Sequence, residues 1–258
     1  MKPTTVFLGE MTNLEVEAFL RDHDTVIVPI GSTEQHGPHG PLLTDVFVPY
    51  EVARRAAPRA GAAVAPSINY GLSYPHVGFT GVVHLRIATF MSLVEDVAVG
   101  LATMGFRRIV FLNGHYDNLY PIAFACATAA ERLPEGTRAF PVSYWDGMTP
   151  DEAAECFVLH ANRSETSAVM AIDPGLVDAD LANAETPPFP ETTNFAAVHT
   201  AFFYSSPGSV YRATQSGTWG DARASTPEFG ERCLEVWTNA TIRLLGEIER
   251  TFAAMPGR

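Results

Sequence analysis

"TVIVPIGSTEQHGPHGPLLTD", Thr25 to Asp45, joins an unbroken apolar run to a polar segment. Thr25 to Gly31 is rich in β-branched residues and lacks polar alternation, which predicts a strand buried on both faces, as in a parallel sheet. The fifteen residues from Gly31 to Asp45 then hold Glu34, His36, His39 and Asp45. Glu34 and His36 are two apart, so on extended chain their side chains point the same way. Imidazole nitrogen beside carboxylate oxygen suits zinc, manganese or iron, and one carboxylate can bridge two ions. Two readings stand here: a metal site, or a polar loop in which Asp45 is a helix N-cap.

Outward from this stretch, short apolar runs alternate with longer helical patterns. "GAAVAPSINYG" (Gly61–Gly71), "RRIVFLNGH" (Arg107–His115) and "TRAFPVSYW" (Thr137–Trp145) read as strands. "VFVPYEVARRAA", "IATFMSLVEDVAVGLATMG", "YPIAFACATAAERL", "SETSAVMAIDP" and "EFGERCLEVWTNATIRLLGEIERTF" read as helices, the second ended by Gly105 and the fourth by Pro174. Strand–helix alternation predicts an α/β fold with a parallel sheet. No repeat or low-complexity linker divides residues 1–258, so the chain reads as one domain. Asp178 to Pro227 is rich in Pro, Thr, Asn and Gly without a period. A loop that long suits a functional or subunit-contact role.

The 258 residues are 47% apolar and 18% charged, a globular composition. A net charge of -12 argues against nucleic acid or an anionic membrane as partner. No apolar run reaches the roughly 20 residues of a membrane span, and the N-terminal region shows no signal-peptide pattern. Cys126, Cys156 and Cys233 are widely spaced and form no CxxC pair. They read as reduced, buried thiols of a cytoplasmic protein.

Two more clusters sit beyond strand ends, where open α/β sheets bind ligands. "LNGHYDN" places His115 and Asp117 after a tight Asn-Gly turn, with Tyr116 between them. "HANRSETS" places His160 before Glu165 at the mouth of a helix. His160 suits general acid or base work. Glu165 is either functional or part of a cap made by Ser164 or Thr166. Tyr144, Trp145 and Asp146 end a strand, where an aromatic can wall a pocket or fill the core. His76 and His84 flank a loop at the entrance, and His39 orients the opening loop. No GxSxG elbow, Walker A loop or GxGxxG turn is present. Cys156, four residues before His160, would face it on a helix and offers a thiol nucleophile as the competing reading.

In this order the clusters resemble the creatininase family of metal-dependent amidohydrolases. The resemblance extends from "FLGEMTNLEVEAFL" through "GSTEQHGPHGPLLTD", "VFLNGHYDN", "VSYWDGM" and "HANRSETSAVMAIDP" to "GTWGDARASTPEFGE". It implies a three-layer α/β/α sandwich with a mostly parallel central sheet, a homohexamer, and two divalent ions, zinc or manganese with iron as an option. Glu34, Asp45 and His115 would hold one ion. His36, Asp45 and Asp117 would hold the other, with Asp45 shared. Tyr116, Trp145 and His76 would line the substrate pocket, and His160 would handle the leaving-group proton. Glu165 occupies an acidic position that is a ligand in some relatives and a supporting residue in others.

Departures from the family pattern bear on substrate. Asp117 stands where creatininases carry glutamate. Cys156, Phe157 and Leu159 replace the tryptophan and acidic residues that clasp the product ahead of the matching histidine. The expected activity is hydrolysis of a cyclic or small linear amide in a more apolar pocket. A deformylase or small-peptide hydrolase is the enzymatic alternative, and a metal-binding hexameric partner without turnover is the non-enzymatic one.

Overall fold

The computed structural model describes residues 5–186 and 201–254. Strands β1 (Thr25–Ile30), β2 (Ala62–Val64), β3 (Arg108–Asn113) and β4 (Arg138–Ser143) form one sheet in the order β2-β1-β3-β4. All three pairings are parallel, with Thr25 beside Ala62 and Arg108, and Arg108 beside Arg138.

Alternation along the buried strands builds two cores. Val26, Val28, Ile30, Ile109 and Phe111 face one side, against α1 (Asn13–Phe19), α3 (Ile87–Met104) and α4 (Leu119–Ala129). Ile27, Val110, Leu112 and Val142 face the other, against α2 (Thr44–Ala60), α6 (Arg163–Ile172) and α8 (Pro227–Ala254). The three-layer α/β/α sandwich with a parallel sheet follows from this arrangement. Trp237 of α8 is fully buried in the second core and packs on Tyr144 with ring centroids 4.8 Å apart.

The helices and strands anticipated from periodicity occur at their expected places. Two short helices go beyond that pattern: α1 and α5 (Pro150–Glu155), each opened by a capping box, Thr12 with Glu15 and Thr149 with Glu152. The aperiodic stretch from Asp178 also holds structure, namely α7 (Ser209–Ala213) and a ribbon of β5 (Ala184–Glu185) with β6 (Gly220–Asp221). Its residues 187–200 lie outside the described part. No apolar run is expected to reach roughly 20 residues, and one helix comes near that length. The 18-residue α3, mean hydropathy 1.5, is long and apolar enough by length and composition to cross a membrane. Here Phe90, Val94, Ala98 and Leu101 of α3 seat it on the sheet.

The strand order fixes where a ligand can bind. From β1 the chain moves outward to β2, then returns to place β3 on the opposite side of β1. The crossovers therefore diverge between β1 and β3, leaving a crevice beyond their carboxyl ends.

Candidate metal centre and substrate pocket

Glu34 and His36 leave β1 at this crevice, and His115 and Asp117 leave β3. Asp45 reaches it from the first turn of α2, whose positive end favours a carboxylate. It is not the N-cap, a position held by Leu43 with no side-chain cap bond. The first turn of α2 is pressed against both strand ends. A Cβ on Gly31 or on Gly114 would lie 2.1 Å from the Asp45 carbonyl oxygen, so only glycine admits the helix. Pro49, four residues on, has no N–H to bond that same carbonyl.

Three sets of side chains converge, the ligand atoms of each lying within 4.8 Å of one another: Glu34, Asp45 and His115; His36, Asp45 and Glu165; and Glu34, His36 and His160. Asp45 joins the first two. Its Oδ2 lies 2.9 Å from His115 Nδ1 and its Oδ1 3.1 Å from His36 Nε2. Glu34 Oε2 is 3.4 Å from His115 Nε2, and Glu165 Oε2 is 3.8 Å from His36 Nε2. Asp117 sits to one side, 3.8 Å from His115 Nε2, and its Oδ1 accepts from the Tyr204 hydroxyl at 3.3 Å.

These residues fit divalent ions. Glu34 is 0% exposed, yet neither of its oxygens has a hydrogen-bond partner, and Asp117 Oδ2 is likewise orphaned. A buried carboxylate left this way is strongly disfavoured unless a cation takes its lone pairs. The remaining donors are imidazole nitrogens and carboxylates, a set suited to zinc or manganese.

Crowding displaces the titrations. Burial, augmented by Asp45, pushes Glu34 up to about 8. Burial likewise raises Glu165 to about 7 and Asp117 to about 6. Burial acts to lower His36, but Asp45, Glu165 and Glu34 outweigh it and raise His36 to about 9. His115 is raised well above its usual range in the same way by Glu34 and Asp45. His76 and His160, with less compensating charge, are held well below theirs by burial.

His160 stands beside the centre, its Nδ1 3.4 Å from Glu34 Oε1 and its ring tilted against those of His36 and His76, with centroids 4.4 Å away in each case. The turn that delivers it uses Ala161 at φ 54, a left-handed conformation for a non-glycine residue. Ala161 N donates to Glu165 Oε2 at 2.8 Å, and Asn162 Oδ1 accepts from Ser164 N and Glu165 N. Asn162, not Ser164 or Thr166, is thus the N-cap of α6. Thr166 instead meets His39 Nε2 at 3.1 Å, which ties the opening loop to α6. The thiol reading fails. The α5 helix ends at Glu155, and Cys156 is buried with its thiol against Cys233. His84 is also structural, its Nδ1 accepting from Ser73 N at 3.1 Å.

Above the centre opens a cavity of about 420 Å³. Its floor includes Glu34, Asp45, His76, His115 and Glu165, and its walls include Tyr116, Trp145, Phe157, Leu159, Phe203 and Trp219. Among the described residues no lysine or arginine lines it. Trp145 therefore faces the pocket, while Tyr144 is the core aromatic. Sequence reasoning did not single out Phe203, Tyr204 or Trp219, which come from the aperiodic stretch, nor Gln35, an amide between two ionisable neighbours.

Comparison with known proteins identifies the family. A family model described as creatinine amidohydrolase matches residues 9–245. The creatinine amidohydrolase of Pseudomonas putida is 34% identical over 253 residues, spanning 90% of this chain and 93% of its own. The mycofactocin precursor peptide peptidase of Mycolicibacterium smegmatis is also 34% identical, over 239 residues, 90% of this chain and 87% of its own. The solved structure "Creatininase Mn" superposes with a TM-score of 0.82 at 30% identity, over 95% of this chain and 98% of that one. A mutant creatininase of the Zn-Zn type gives the same TM-score at 31% identity, with 95% and 98% covered. By sequence across nearly its whole length, and by fold, the chain belongs to the creatininase family of amidohydrolases.

Proposed function

We propose that the protein cleaves a small neutral amide, cyclic or linear, with two divalent ions held in the crevice between β1 and β3. The observation that carries this reading is the fully buried Glu34 carboxylate, without a hydrogen bond and ringed by His76, His115 and His160. Glu34, Asp45 and His115 would hold one ion. His36, Asp45 and Glu165 would hold the other, with Asp117 as the alternative third ligand that the motif resemblance implies. Relatives with manganese and with zinc make either metal reasonable. When bound, such ions polarise a carbonyl and acidify water.

The remaining roles fall to the chain itself. His160 is placed to supply a proton to the departing nitrogen, which leaves poorly as an anion. Tyr116 and Trp145 flank the substrate, and His76 backs it. With Phe157 and Leu159 in place of a polar clasp, the pocket favours an apolar substituent over creatinine. A peptide substrate is the second reading, favoured by the 56% exposed Phe157 at the pocket mouth and by the peptidase relative. A homo-oligomer is supported by Ile87, Tyr120 and Phe124, exposed apolar side chains on the packed pair α3 and α4.

The test is a metal count per subunit by plasma emission, beside hydrolysis of creatinine and of phenylacetamide. About two ions are expected, with phenylacetamide preferred. His115→Ala and Glu165→Gln should each lose about one ion, and Asp117→Asn should keep both. Loss of the second ion in Asp117→Asn alone would transfer that ligand role to Asp117. No bound metal in the wild type would overturn the reading.

A further inference from the structure

Gln35 lies between two proposed ligands in sequence but points away from the centre. Its Oε1 accepts from Gly37 N at 2.8 Å. A backbone N–H can only donate, so this contact fixes which end of the amide is oxygen. The amide nitrogen therefore faces the histidines, 2.7 Å from His76 Nδ1 and 3.0 Å from His160 Nε2, with the Gly217 carbonyl at 3.1 Å.

An amide nitrogen donates and does not accept. A ring N–H aimed at that nitrogen would find no lone pair, so both ring nitrogens present lone pairs and share the two amide protons with the Gly217 carbonyl. The ring protons are left on the opposite nitrogens, His76 Nε2 and His160 Nδ1. Those two atoms lie 3.5 and 3.4 Å from the same oxygen, Glu34 Oε1, at the floor of the cavity. One amide thus sets the tautomer of two imidazoles and aims both N–H groups at the reaction centre. Gly217 allows the approach, since a Cβ there would sit 2.1 Å from Gln35 Oε1. Through the Gly217 carbonyl, Gln35 also braces the segment that carries Trp219, whose backbone N–H donates to the His160 carbonyl at 3.1 Å.

We propose that Gln35 is a positioning residue, which locks His160 with its proton on Nδ1 and His76 with its proton on Nε2. The consequence for amide cleavage rests on the function proposed above, but the tautomers do not. The experiment is a two-bond proton–nitrogen correlation spectrum of the zinc-loaded, full-length protein labelled with 15N-histidine. The two signals are assigned from His160→Gln and His76→Gln.

The expected spectrum has His160 as the Nδ1–H form and His76 as the Nε2–H form. Gln35→Glu, which offers only acceptors, should turn His160 to the Nε2–H form. It should also lower kcat for phenylacetamide tenfold or more, with KM within about threefold and the metal count unaltered. His160 protonated on Nε2 in the wild type overturns the proposal, as does an unaltered tautomer in Gln35→Glu. If Gln35→Glu does not fold, the wild-type spectrum decides alone. If phenylacetamide is not turned over, the spectra still decide, so the two readings fail separately.

Discussion

Glu34, Asp45, Asp117 and Glu165 share a small space with His36, His76, His115 and His160, and that crowding governs the metal-free protein. Raised carboxyl values mean that folding favours the protonated acids. The stability they contribute is fully present below their ordinary range near 4, and is lost as pH climbs through about 6, 7 and 8 for Asp117, Glu165 and Glu34. His36, raised to about 9, acts in the same sense. His76 and His160 act oppositely, but only below the usual histidine value of 6.5. Chelator-stripped protein should therefore lose thermal stability between pH 6.5 and 8. Metal-loaded protein, whose ligands must be ionised, should not. Melting curves across that window check the sign, and rising stability of the stripped form would contradict it. Most ligand candidates were legible because short motifs gather them after strands. The neighbourhood of Glu165 and His36 was not, since 129 residues separate them and only the packing of α6 beside α2 brings them together. Gln35 gave no chemical signal of its own.

The α6 helix begins where His160 is delivered, so its cap is part of the site. Ser164 or Thr166 is the cap expected from sequence, and Asn162, passed over there, is equally acceptable by residue type. The left-handed turn at Ala161 settles the choice by aiming the Asn162 side chain at the N–H groups of Ser164 and Glu165. Asn162→Ala should cost about 1 kcal/mol of unfolding free energy, the usual value of such a cap. Urea denaturation of metal-loaded protein measures it, and a change within about 0.3 kcal/mol would mean the cap is dispensable. The long periodic helices were legible because burial imposes a 3.6-residue pattern. The short α7 and the β5–β6 ribbon have too few residues for any period to emerge.

For the molecule as a whole, pocket floor and pocket wall come from different kinds of segment. The floor is built on strand ends and helix starts. Much of the wall comes from Met148 to Leu159 and from Phe203 to Trp219, which pack on the sandwich without belonging to its sheet. Phe157→Ala should therefore reduce kcat/KM for phenylacetamide about tenfold, a typical effect of removing apolar contact area, while leaving the metal count alone. Parallel kinetic and plasma emission measurements would show whether the two parts separate in this way. Loss of metal in that variant would mean they do not.

The pressing of the Asp45 carbonyl against Gly31 and Gly114 has a consequence for how such a protein can diversify. The backbone of Asp45, which bears the shared carboxylate, is located by main chain meeting main chain. Its distance from either strand end is inherited from the spacing of adjacent strands, about 4.8 Å in any sheet. The gauge between the two halves of the centre is therefore a property of the backbone. Fittings mounted above it can be exchanged over evolutionary time for new substrates, while the gauge stays constant.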